Sequence, residues 1–219
     1  MLASVFALLL AAPPAPSCVD APPPLRVQTA PRDSSFAALF AAGQPYDTFV
    51  AHAKERRAQW VALTEGAVVP AEAVRAVTGI AAPLRVLIVA IDGCSDSVNS
   101  LPYIARLLGH APSVQVRVVL PDAGRRVMER YRTPDGRAAT PTLIVLDAAD
   151  HVVGCWVERP TVLQDLAIAA RAAGTLDRYQ QTKQQWYDTD RGVSISTEVA
   201  AVIRGAATGS PVCSATAAR

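Results

Sequence analysis

Residues 84–91 read Leu-Arg-Val-Leu-Ile-Val-Ala-Ile, a nearly continuous β-branched and aliphatic run with the length of a strand buried on both faces. Asp92-Gly93-Cys94-Ser95-Asp96-Ser97 interrupts it. Val98, Leu101, Ile104, Ala105 and Leu108 then recur at helical spacing as far as Gly109, and a second strand occupies 114–120. A strand, a helix and a strand in so short a stretch form a βαβ unit, whose crossover is almost always right-handed and makes the two strands parallel. The strand-to-helix turn is the active edge of such a unit, and here it places Cys94 at the head of the helix.

The flanking patterns extend this unit. Upstream, Ser34 and Ser35 can cap a short helix ended by Gly43; a longer helix is expected over 46–64 and a third over 70–78. Lys54, Glu55, Arg56 and Arg57 read as the solvated face of the long helix. Downstream, a helix at 123–131 leads through a polar loop to Thr140-Pro141. Strands at 142–147 and 151–157 follow, joined by a three-residue connection that implies an antiparallel hairpin. Helices are expected at 161–173, 176–187 and 197–204. The organisation is then an apolar leader over 1–17, a Pro-rich linker over 18–33, one domain over 34–205 and a disordered tail over 206–219.

With 219 residues and 51% hydrophobic content, the chain can fill a substantial core. Twenty-one Lys and Arg against 19 Asp and Glu leave a net charge of +2, which excludes a bulk electrostatic pull toward nucleic acid or anionic membrane. The first 12 residues suit a signal-peptide core and are too short to give a stable membrane span, although no Lys or Arg precedes them. A periplasmic or secreted protein is therefore slightly favoured over a cytoplasmic one. Cys18, Cys94, Cys155 and Cys213 lack paired short spacing, so neither a zinc site nor a dense disulfide framework is indicated, and no cofactor motif occurs. Cys18 and Cys213 lie in expected tails, where an oxidising compartment could pair them, while Cys155 reads as a small buried hydrophobe.

The order β-α-β-α-β-β-α, with Cys94 at the first helix and Thr140-Pro141 before the hairpin, resembles the thioredoxin superfamily over about residues 84–173. It is similar in particular to bacterial thioredoxin-family proteins with a Cys-Gly-Asp-Ser or Cys-Gly-Asp-Cys turn. The corresponding elements here are Cys94-Ser95-Asp96-Ser97, Leu101-Pro102, Thr140-Pro141 and Trp156-Val157-Glu158-Arg159-Pro160. The resemblance implies a thioredoxin-like α/β fold, a mixed four-stranded sheet flanked by helices, with extra N-terminal and C-terminal helices. It also implies a cis Pro141 holding a backbone edge beside the thiol, and protein or small-molecule thiols and disulfides as partners.

A cysteine at a helix N-terminus gains thiolate stabilisation from unpaired N–H groups and the helix dipole, which makes Cys94 the best nucleophile in the chain. Ser97 stands where a dithiol enzyme would carry its resolving thiol. Asp96 opposes a thiolate unless its side chain turns away to cap the helix. The resemblance also exposes two departures: Gly93 replaces the usual Trp, and Ile88 replaces the usual buried carboxylate. Asp92 is either an acid-base group or a turn cap; Arg159 either faces the Cys94 turn or pairs with Glu158. Two functions follow: a monothiol redox protein resolved by an external thiol or Cys213, and a non-catalytic module that binds partners in the groove beside Pro141.

Overall fold

The computed structural model describes residues 35–214 and 216–217. The leader, the linker and Cys18 lie outside the described residues. Four short helices come first: α1 (Phe36–Ala42), α2 (Tyr46–His52), α3 (Arg57–Gly66) and α4 (Ala71–Val77). The βαβ unit is β1 (Leu84–Val89), α5 (Ser95–Leu108) and β2 (Val114–Val119), followed by α6 (Pro121–Arg130) and the two-residue β3 (Tyr131–Arg132). The hairpin is β4 (Thr142–Leu146) and β5 (Val152–Val157), and the chain continues through α7 (Thr161–Ala172), α8 (Leu176–Asp190), α9 (Val193–Ala207) and β6 (Thr216–Ala217).

The main sheet has the order β2-β1-β4-β5, with β1 parallel to β2 and antiparallel to β4. Alternation along β1 explains why its sequence is apolar on both faces from Val86 to Val89. Val86 and Ile88 join the layer containing Val98, Leu101 and Ile104 of α5, Trp156, and Ile195, Val199 and Ile203 of α9. Leu87 and Val89 join the opposite layer with Leu39, Phe40, Val127, Ile144 and Val157. Each such side chain contributes about 1.5–3 kcal/mol when fully buried.

Two local expectations are corrected. The helix expected over 46–64 is two helices, because the backbone turns out of the helical region at Ala53 (φ −60°, ψ 128°) and Arg56 takes a left-handed conformation (φ 51°). In exchange for lost helical bonds, the Lys54 and Glu55 amides donate to the Asp92 carboxylate at 2.7 and 3.0 Å. The tail is not featureless either. Residues 212–214 run beside β5, and β6 pairs antiparallel with β3.

Candidate functional site at the Cys94 turn

Cys94 is the N-cap residue of α5, and its Sγ accepts the Ser97 amide N–H at 3.4 Å. That donor is one of the orphan amides every helix start presents, so the sulfur sits at the positive end of a fourteen-residue helix. The same Sγ lies 3.2 Å from the Thr140 carbonyl oxygen. Thr140-Pro141 is a cis peptide, as expected, and the loop carrying it is anchored by the Glu158 amide donating to the Pro141 carbonyl at 2.7 Å. Cys94 is only 1% exposed and is disulfide-bonded. Ser97 Oγ and Thr140 Oγ1 are buried without a hydrogen-bond partner among the described residues.

Asp96 faces away from the sulfur. Its carboxylate accepts from Arg159 Nη2 at 2.9 Å, Tyr187 Oη at 2.7 Å and Lys183 Nζ at 3.2 Å, and Lys183 also donates to Ser95 Oγ at 2.7 Å. Burial pushes the Asp96 carboxyl up, but the Arg159 and Lys183 charges and the Tyr187 and Lys183 hydrogen bonds outweigh it and hold it below the usual carboxylate value. Both readings of Arg159 are realised, because its guanidinium contacts Asp96, Glu158 and Tyr179 together. Despite its burial, the Asp96 and Glu158 charges keep it firmly protonated. Glu158 in turn accepts two hydrogen bonds from Arg137 at 2.9 and 3.1 Å. The negative charge that would oppose a thiolate at Cys94 is thus neutralised within the cluster.

Asp92 acts as a cap. Besides the two amide bonds to its carboxylate, its carbonyl accepts from Trp60 Nε1 at 3.0 Å, and the Gly93 carbonyl accepts from Arg56 Nε at 2.8 Å. A Cβ on Gly93 would fall 2.4 Å from Glu55 Oε2, so the Glu55 side chain fills the space beside this glycine. The structure therefore brings Asp92, Cys94, Asp96, Ser97, Thr140, Pro141 and Arg159 to one place. Lys183, Tyr187, Tyr179 and the loop 53–56 complete the site and were not foreseen. Tyr179, Lys183 and Tyr187 do follow at i, i+4 and i+8, a polar stripe on one face of α8 that the sequence displays.

A family model described as thioredoxin matches residues 43–173, more than half of the chain. The chain belongs to the thioredoxin family. Among solved structures, this thioredoxin-family protein is similar to a Pseudomonas aeruginosa protein of unknown function, with TM-score 0.58, 22% identity, and coverage of 79% of this chain and 99% of that one. It is also similar to an HIV 4E10 epitope scaffold, with TM-score 0.57, 20% identity, and coverage of 78% and 99%. At these identities the likeness concerns the fold. No curated protein matches. Among the described residues of this family member, no helix is long and apolar enough to cross a membrane, and no group of His, Cys, Asp and Glu could hold a metal ion.

Proposed function

We propose that this thioredoxin-family protein exchanges thiols and disulfides through Cys94 as the single thiol of its turn. The observation that carries the reading is the position of the Cys94 sulfur, at the N-cap of α5 with the Ser97 amide pointing to it and 3.2 Å from the Thr140 carbonyl of the cis-proline loop. In the reduced protein the Cys94 thiolate attacks one sulfur of a substrate disulfide, forming a mixed disulfide and expelling the other sulfur as a thiolate. An external low-molecular-weight thiol then attacks the substrate sulfur, leaving with it as a new disulfide and restoring the Cys94 thiolate. Cys213 is bonded to Cys155, which removes it as the resolving thiol while that bond stands. Pro141 and Thr140 would orient the incoming chain, Ser97 would supply the amide, and Arg159 would balance Asp96. The Cys155–Cys213 disulfide also supports a location outside the cytoplasm.

The near-complete burial of Cys94 favours a second reading, a thioredoxin-like module that binds partners beside Pro141 without turnover. A peptide–glutathione mixed disulfide separates the two. The redox reading expects glutathione-dependent release of the peptide thiol by the wild-type protein and loss of that rate in Cys94→Ser; equal rates in both proteins contradict it.

A further inference from the structure

We propose that Cys155–Cys213 is a second redox site, reduced by dithiols, whose opening releases a C-terminal strap gripping the stems of the loop that carries Thr140-Pro141. The strap is built into the fold. After α9 the chain doubles back, with the Ser210 amide donating to the Gly205 carbonyl at 2.9 Å; a Cβ on Gly205 would lie 2.4 Å from the Ser210 carbonyl oxygen. Gly154 makes the matching notch in β5, since a Cβ there would meet Val202 Cγ1 at 2.9 Å and the Val212 carbonyl oxygen at 3.4 Å. The strap then pairs with the outer edge of β5. Cys155 N donates to Val212 O at 3.0 Å, Ser214 N to Cys155 O at 3.2 Å, and Val157 N to Ser214 Oγ at 2.9 Å.

Both stems of the cis-proline loop end at this strap. On one side Val157 pairs with Thr142, directly after Pro141, and the next amide, that of Glu158, is bonded to the Pro141 carbonyl. On the other side β6 pairs with β3, which leads into the loop at Thr133. Residues 208–213 are exposed, so little apolar burial holds them, and the cross-link between positions 58 residues apart supplies the tether.

The two sulfurs differ in access. Cys155 is fully buried whereas Cys213 is exposed, so a dithiol attacks Cys213 Sγ. A mixed disulfide forms there and Cys155 departs as a thiolate, which takes up a proton in its apolar surroundings. The second thiol of the reagent attacks its own bonded sulfur, closing a cyclic disulfide and freeing Cys213 as a thiol. Two electrons and two protons pass from dithiol to protein.

The test is amide hydrogen exchange on the full-length chain in a Cys94→Ser background, which makes the result independent of the proposed activity at Cys94. On titration with dithiothreitol under native conditions, Cys213 becomes alkylatable, and the amides of Cys155 and Val157 and the segment 131–141 exchange at least about tenfold faster, while those of β1 are unchanged. Cys213→Ser reproduces this pattern without reductant. Survival of the disulfide until β1 also opens, or identical exchange in the oxidised and reduced proteins, overturns the proposal.

Discussion

Asp96 lies fully buried at the first turn of α5, opposite Arg159 and Lys183, and its ionised form is what the surrounding groups are arranged to hold. Removing one member of such a cluster leaves buried charge uncompensated, which typically costs about 3–5 kcal/mol. Asp96→Ala is therefore expected to lower stability by about that amount in urea unfolding at neutral pH. Because the folded carboxyl sits below the value of 3.8 that it has when unfolded, its contribution is present above about pH 4 and disappears as pH falls through the folded value. The stability difference between wild type and Asp96→Asn should accordingly shrink as the pH falls below about 4. Two glycines make a contrasting pair. A Cβ on Gly192 (φ 77°) would press to 2.2 Å from the ring of buried Tyr103, whereas on Gly93 it meets only the movable end of Glu55. Gly192→Ala should cost about 1–3 kcal/mol or more and Gly93→Ala less than about 0.5, as read from thermal midpoints.

Among the elements, α8 is held to the Cys94 turn by polar groups. Its buried residues are Tyr179, Lys183 and Tyr187, and Gln184 exchanges hydrogen bonds with Asn99 at 3.2 Å. A helix seated this way opens more readily than one held by a broad apolar stripe. Lys183→Ala deletes bonds to Asp96 and Ser95, worth about 1.5–3 kcal/mol when a charge is involved, so stability in urea unfolding should fall by about that amount; an unchanged value would show that Lys183 does not hold α8 to the turn. The seam is visible as a spacing in the sequence, but its partner is not, since Asp96 lies 87 residues from Lys183. The split between α2 and α3 has the same origin. The charged run 54–57 suits a solvated helix face, and only the Asp92 carboxylate, 38 residues away from Lys54, supplies the amide acceptors that make the break favourable.

At the scale of the whole molecule, the segment 84–173 was legible because its strands are short runs rich in Val, Ile and Leu and its main crossover helix carries clean periodicity. The cis-proline loop followed from the family resemblance, whereas Arg159 stayed open between the Cys94 turn and Glu158, because its partners Asp96 and Tyr179 are 63 and 20 residues away. The tail was not legible, because its order depends on a disulfide partner in β5 and on two glycine notches. The helices beyond 173 are integral to the core: α9 buries Ile195, Val199, Val202 and Ile203 against the sheet layer containing Val86 and Trp156. At about 2 kcal/mol for each of these side chains, their loss removes an amount comparable to the net stability of an ordinary domain. A chain ending at residue 173 is expected to show no cooperative urea transition, and a sharp one would contradict this packing account.

The central claim is that the N-terminus of α5 activates Cys94, and the most direct test is the pH dependence of its alkylation by iodoacetamide in reduced wild-type protein, followed on the Cys94 peptide by mass spectrometry. The account predicts an apparent pKa below the free-cysteine value of about 8.5, with reaction proceeding while the protein stays folded. A value at or above about 8.5, or labelling only when the protein unfolds, would contradict it.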